Sequence, residues 1–397
     1  MTTTEPATGI PWRLLLGSGP SPVPERVLQA LAQPTIGHMD PAFAEIMGET
    51  IGLLREAFQT ENEATLPISG TGSAGMEALV ANFVDPGDRV VCGVNGLFGE
   101  RMADELARSG AEVVRVEADW GRAIDPELLI AAASDGLDAM VVVHGETSTG
   151  VAQPLEGLAD ACHERDALFM IDCVTSLGGH PLRIDEEGVD AAFSGTQKCL
   201  NCPPGLAPFT ANERALAKLA KREKPGHSWY LDLSLVLAYW DPAAVPGKGA
   251  APARAYHHTA PINMVYALRE ALRIVVADEW LPTTWERHRR AHHALKDALG
   301  VFGCERLAPD GEQLHPLLAV SPPPDCDEAA IRKALLLDHG IEISGGLGPL
   351  AGNLWRIGVM GGGARREPQE QLVRALATLL KADPVEPLAA LEAGWQA

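Results

Sequence analysis

The chain has 397 residues, 46% hydrophobic and 21% charged, with a formal net charge of -21. That length and apolar content supply a large core and fit one large and one small domain. The acidic balance excludes a nucleic-acid footprint, which needs basic surface, and no apolar run reaches the roughly 18 residues of a membrane span.

Seven cysteines without framework spacing point to a reducing, cytoplasmic compartment. The first nine residues are polar and carry no signal-peptide pattern. Residues 1–20 read as an arm ending in the turn Gly17-Ser18-Gly19-Pro20. A short helix is predicted over 22–33. Asp40-Pro41 is an N-cap and N1 pair, with Phe43, Ile46, Met47, Ile51, Leu54 and Phe58 following at helical spacing.

From residue 65 to 210 strands and helices alternate. Strands are predicted at 65–69, 89–94, 112–116, 139–144, 167–174, 191–194 and 206–210, and helices at 74–84, 100–109, 126–133 and 155–165. This order predicts an α/β fold with a doubly wound, mostly parallel sheet. A loop follows at 241–254 and a helix at 263–277. An exposed helix at 285–299 opens a second domain, with further elements at 317–320, 327–339, 341–344, 354–359 and 368–381. The expected division is an arm over 1–20, a large domain over 21–280 and a small α+β domain over 281–397.

The chemistry concentrates at strand ends. Leu168-Phe169-Met170-Ile171 ends at Asp172, and Ala191-Ala192-Phe193 delivers Ser194-Gly195-Thr196-Gln197-Lys198. In a parallel sheet both groups reach the crevice at the carboxyl edge. A lysine and a carboxylate there suit pyridoxal phosphate (PLP), one for the aldehyde and one for the pyridine nitrogen. Ser69-Gly70-Thr71-Gly72-Ser73-Ala74-Gly75 follows a strand and opens a helix, which favours a phosphate site over a plain tight turn. It also matches a dinucleotide fingerprint, the basis of the rival from another class, an NAD-dependent dehydrogenase. That reading wants an acid ending the next strand, where Asn95-Gly96 stands instead.

The loop His144-Gly145-Glu146-Thr147-Ser148-Thr149-Gly150 is either a plain polar loop or a set of hydroxyl partners for a cofactor. Arg356, inside the apolar run Leu354-Trp355-Arg356-Ile357-Gly358, calls for either a substrate carboxylate or a structural ion pair. No second basic group for a distal carboxylate stands out. Cys199 and Cys202 read as packing cysteines, the histidine run from His288 to His293 as a solvated helix face, and no metal-ligand set is seen.

Together these segments, with Tyr256-His257-His258-Thr259-Ala260-Pro261 and Gly345-Gly346-Leu347-Gly348, resemble the class V aminotransferases of PLP fold type I, of the alanine–glyoxylate and serine–glyoxylate kind. The resemblance runs from about residue 16 to 380. It implies a large domain built on a mostly parallel seven-stranded sheet, a small C-terminal domain and a ping-pong transamination between L-alanine or L-serine and glyoxylate or pyruvate. By the resemblance, Lys198 would bond the cofactor aldehyde and carry the catalytic proton, Asp172 would hold the pyridine nitrogen, and Val174 and Phe98 would sandwich the ring. Thr71, Gly72, Ser73 and Gln197 would hold the phosphate and Thr147 the ring hydroxyl. Tyr256 and Thr259 would reach the phosphate of a neighbouring subunit in an obligate homodimer. Arg356, with Ser18 and Gly19 closing from the arm, would take the substrate carboxylate. Two other PLP reactions compete. A cysteine desulfurase needs a reactive cysteine within 344–352, which has none. A pyridoxamine–pyruvate aminotransferase needs an acid in place of Thr71-Gly72-Ser73.

Overall fold

The computed structural model describes residues 9–134, 136–222, 225–245 and 254–397. Its centre is a seven-stranded sheet: β1 (Ala64–Ser69), β2 (Arg89–Val94), β3 (Glu112–Glu117), β4 (Ala139–Val143), β5 (Leu168–Asp172), β6 (Ala191–Phe193) and β7 (Leu206–Ala211). All seven coincide with predicted strands to within about two residues at each end. The spatial order is β1-β7-β6-β5-β4-β2-β3, and only β7 runs antiparallel to its neighbours. Strands β4 to β7 are buried along their whole length. That is why they read as unbroken apolar runs rather than alternating ones: helices cover both faces of the sheet.

The chain steps from β2 outward to β3 and then back to β4 on the other side of β2. This reversal opens a crevice at the carboxyl ends, where ligands bind in such sheets. The loops after β2, β4, β5 and β6 meet there. The flanking helices start where the sequence says they should: Asp40 accepts from Ala42 N–H at 2.9 Å, and Pro41 occupies the first helical position of Pro41–Phe58.

A second core gathers around Trp355, Leu372, Leu376 and Leu391. It packs a three-stranded antiparallel sheet (Leu317–Val320, Trp355–Gly358, Ser344–Gly345) against helices Leu281–Val301, Arg366–Leu380 and Val385–Gln396. The large core ends with Leu281 and Trp285, and the second takes up at Ala291 on the same helix. The last of these helices is not among the predicted elements. Of the predicted loop at 241–254, residues 246–253 lie outside the described residues, and Pro242–Ala244 forms one 3-10 turn.

The arm is woven into both cores. Leu14–Leu15 pairs in parallel with Ile341–Glu342, and Leu14 and Leu16 are buried in the second core. Further on, Ser21 N–H donates to Gln197 O (2.9 Å) and Ser21 Oγ–H to Lys198 O (2.6 Å). Gly358 has to be glycine for this path: a Cβ there would come within 2.0 Å of Gly17 O. Among the described residues no helix is long and apolar enough to cross a membrane, and no group of His, Cys, Asp and Glu is arranged to hold a metal.

One sequence reading is overturned. His288 and His292 are fully buried, not on a solvated face. They belong to a seam of imidazoles between the two cores. The His180 ring lies 5.6 Å from His144 and 4.5 Å from His315, and His292 lies 6.2 Å from His315. Helical spacing told that two histidines share a face; only packing told which face. Gly361 N–H donates to His288 Nε2 at 2.9 Å, which requires that nitrogen to be unprotonated.

Burial pushes His144 and His315 down to about 4 and His288 down to about 3, with His180 and His292 also well below the ordinary range. In the unfolded chain these groups protonate near about pH 6.5. Between that point and about pH 4 the unfolded chain holds more protons than the folded one. Stability should therefore be intact above pH ~6.5 and fall below it, by up to about 1.4 kcal/mol per pH unit for each histidine. Unfolding midpoints measured at pH 7, 6 and 5 should drop steeply below 6.5; a flat profile contradicts the buried seam.

Candidate active site

The β5–β6 register places the two central groups. Asp172, the last residue of β5, pairs with Phe193 at the end of β6, and the chain then turns through Ser194–Gln197 to Lys198. The turn is tied by Thr196 Oγ–H to Pro203 O (2.7 Å), Cys202 N–H to Thr196 O (3.1 Å) and Asn201 N–H to Lys198 O (3.1 Å). Both side chains are buried, Asp172 at 3% and Lys198 at 7% exposure.

Burial pushes the Asp172 carboxyl up to about 7, opposed by the Val174 N–H, which donates to Oδ1 at 2.8 Å, and by the Lys198 charge. Burial lowers the Lys198 amine to about 8. The amine donates to Ser18 O in a short contact, and a Cβ on Gly19 would sit 2.9 Å from Nζ. Gly19 has φ 108°, so glycine is required there on two counts. The Ser18-Gly19 turn thus closes over the lysine.

These groups line a cavity of about 550 Å³ together with Thr71, Gly72, Ser73, Phe98, Thr147, Val174 and Gln197. Nine of the expected site residues therefore share one pocket. Thr71-Gly72-Ser73 begins the helix Gly72–Phe83, whose N-cap side chain makes no hydrogen bond. Phe98 stands on the first turn of the helix Leu97–Arg108.

Arg356 sits beside the pocket. Its Nε donates to Gly345 O (2.7 Å) and Nη1 to Thr147 O (3.1 Å), and among the described residues no carboxylate forms a salt bridge with it. Tyr256 and Thr259 do not join the pocket; both are exposed, Tyr256 at 63%.

The structure adds residues the sequence did not signal. Arg101 lines the cavity and lies over the Phe98 ring at 5.0 Å. The i, i+3 spacing of the two on one helix was the available clue. It is a second basic side chain at the pocket. Glu146, fully buried behind Phe98, was passed over because acids in turns are usually solvated. Cys199 and Cys202 are unpaired and buried, as packing cysteines.

The aminotransferase class-V family model matches residues 13–352. The chain belongs to the class V aminotransferases. An (S)-ureidoglycine–glyoxylate transaminase of Bacillus subtilis (strain 168) is 39% identical, over 90% of this chain and 88% of that protein. An alanine–glyoxylate aminotransferase of Callithrix jacchus is 37% identical, over 96% of this chain and 90% of that protein. The crystal structure of an alanine–glyoxylate aminotransferase from Nostoc sp. superposes with a TM-score of 0.89 at 45% identity, covering 94% of this chain and 96% of that one.

This aminotransferase has the fold type I architecture and is PLP-dependent. Its pocket fits the cofactor on three independent grounds. The N–H groups of an uncapped helix start face a glycine-lined cup, the chemistry of a phosphate site. The Gln197 side-chain amide is buried with Oε1 unpartnered, and an amide turned the other way presents a donor. A buried amine and a buried carboxylate with raised pKa line the same cavity.

The amine gives a direct check. Only neutral lysine attacks an aldehyde. Mixing apoprotein with PLP and following the visible band should give a capture rate that rises with pH and levels off above about 8. A rate still climbing toward pH ~10, as for a solvated lysine, contradicts the buried placement.

Proposed function

We propose that this aminotransferase moves the amino group of a small monocarboxylic amino acid, L-alanine or L-serine, to glyoxylate or pyruvate. The observation that carries this is Arg356, held by the carbonyls of Gly345 and Thr147 and, among the described residues, in no salt bridge with an acid. It is a cation reserved for a carboxylate. A Cβ on Gly19 would come within 2.9 Å of Lys198 Nζ, so the arm fits closely over the lysine. The three relatives described above carry glyoxylate in their names.

The roles follow from the pocket. Thr71, Gly72, Ser73 and Gln197 would hold the phosphate, Phe98 and Val174 would flank the ring, Thr147 would meet its hydroxyl, and Asp172 would keep the pyridine nitrogen protonated. PLP, when bound, supplies an electron sink for the charge that develops at the substrate α-carbon. Lys198 Nζ would take the proton from the substrate α-carbon and carry it toward the cofactor, a task suited to an amine with a pKa of about 8. Arg356 orients the carboxylate of either substrate. Because one such arginine serves both, the two substrates occupy the site in turn, which gives ping-pong kinetics.

A homodimer is part of this reading. Tyr256 and Thr259 lie exposed beside Trp229 and Tyr230, which stack on His257 at 4.4 and 6.0 Å. Such an aromatic patch suits a subunit interface from which both residues reach a partner's phosphate. The seven unpaired cysteines support a cytoplasmic setting. Arg101 in the pocket favours a second reading, a donor with an acidic or carbonyl-bearing side chain, such as glutamate, aspartate or ureidoglycine.

A half-reaction screen decides between the two. Amino acids are added singly to holoenzyme and bleaching of the visible band is timed. Alanine or serine should bleach it fastest; faster bleaching by glutamate, aspartate or ureidoglycine replaces the first reading with the second. Lys198→Ala should abolish turnover with the fold intact, and retained turnover refutes its role. Arg356→Lys should raise the donor KM about tenfold or more, because a point charge replaces a planar fork. An unchanged KM places the carboxylate elsewhere.

A further inference from the structure

Glu146 is fully buried, yet nothing in the catalytic reading uses it. It lies in the hairpin strand Gly145–Glu146, which pairs with Val151–Ala152 at the carboxyl end of β4. Its Oε2 accepts from Phe98 N–H (2.9 Å) and Gly99 N–H (3.3 Å), two of the unsatisfied donors at the start of the helix Leu97–Arg108. Its Oε1 accepts from Ser148 N–H (2.9 Å) and Ser148 Oγ–H (2.6 Å). Ser148 Oγ in turn accepts from Leu97 N–H at 2.9 Å. The approach is close enough that Gly96 can carry no side chain: a Cβ there would come within 2.5 Å of Glu146 Cδ.

Three of the four partners are backbone N–H groups, which can only donate, and the fourth is the Ser148 hydroxyl. That surrounding favours the carboxylate form. Burial raises its pKa, and the four hydrogen bonds and the helix N-terminus pull it back. Its charge is felt at Lys198, Asp172 and Arg356. Thr147 stands between Glu146 and Ser148 in the chain, and its carbonyl accepts from Arg356 Nη1. One carboxylate thus joins the loop carrying the ring-stacking aromatic, the loop carrying the hydroxyl contact and, through Thr147, the carboxylate-binding arginine.

We propose that Glu146 is a positioning residue for the cofactor and the substrate together. It holds Phe98 and Thr147 at one spacing and keeps that pair in register with Arg356, so that grip on the ring and grip on the substrate carboxylate form one unit. The inference rests on the roles given above to Phe98, Thr147 and Arg356.

The test compares wild type, Glu146→Gln, Ser148→Ala and Phe98→Ala. Glutamine turns an amide donor toward N–H donors, so it removes the junction while keeping the volume. Four quantities are read: the PLP dissociation constant of the apoprotein, the visible circular dichroism of bound PLP, the donor KM, and the unfolding midpoint of the apoprotein. Glu146→Gln should weaken PLP about tenfold or more, alter the dichroism of the cofactor that does bind, and raise the donor KM. A merely structural residue would lower the midpoint and leave dichroism per bound cofactor and donor KM at wild-type values; that result overturns the proposal. Should Glu146→Gln fail to fold, Ser148→Ala keeps the carboxylate and removes only the hydroxyl bridge to Leu97, with an expected loss of about threefold in PLP affinity. Wild-type affinity and KM in that variant overturn the proposal as well. Phe98→Ala separates the two levels: if it leaves PLP binding unchanged, the reading of Phe98 has failed; if it weakens binding while Glu146→Gln does not, only the positioning role has failed.

Discussion

The register between β5 and β6 is the constraint on which the rest of the site depends. Asp172 stands opposite Phe193, so the turn after β6 begins level with the aspartate and brings Lys198 back into the same cavity. A shift of one residue would turn either side chain to the opposite face of the sheet. The cost of burying both groups shows in their pKa values, one raised and one lowered by desolvation. That poise suits a lysine that must be neutral to react and an aspartate that awaits a cationic partner.

Around this pair the molecule uses connections between distant parts of the chain rather than local motifs. The arm is bonded to the second core at Leu14 and Leu16, then reaches Lys198 through Ser18 and Ser21. Arg356 comes from the second core and touches Thr147 of the first. The imidazole seam of His144, His180, His292 and His315 packs the two cores against each other. Closure of the pocket and placement of Arg356 are therefore consequences of how the two cores dock. Small shifts of that interface would reach the lysine and the arginine together.

Legibility in the sequence followed the range of the interactions. The seven central strands were visible because a doubly covered parallel sheet demands unbroken apolar runs, and the helices between them because caps and spacing are local. Thr71-Gly72-Ser73 was visible because small residues between a strand and a helix have few other uses. The final helix Val385–Gln396 was not, because its apolar face is explained only by the helix Leu281–Val301 it packs on. The reading of His288 and His292 as solvated failed for a related reason. A polar helix stripe is normally outside, and only the presence of His315 and His180 from other elements makes it an interior seam.

What the sequence determined by itself was the order and type of the elements and the presence of an acid and a lysine at two strand ends. Alternation, capping and strand-end chemistry are properties of neighbours in the chain. Only the tertiary structure decided that Ser18 and Gly19 close on Lys198, that Arg356 has carbonyl partners and, among the described residues, no acid, that Arg101 shares the pocket, and that Glu146 accepts from both Phe98 and Ser148. Those contacts join residues tens to hundreds of positions apart, and they exist because burial forces each polar group to find a partner wherever the fold brings one.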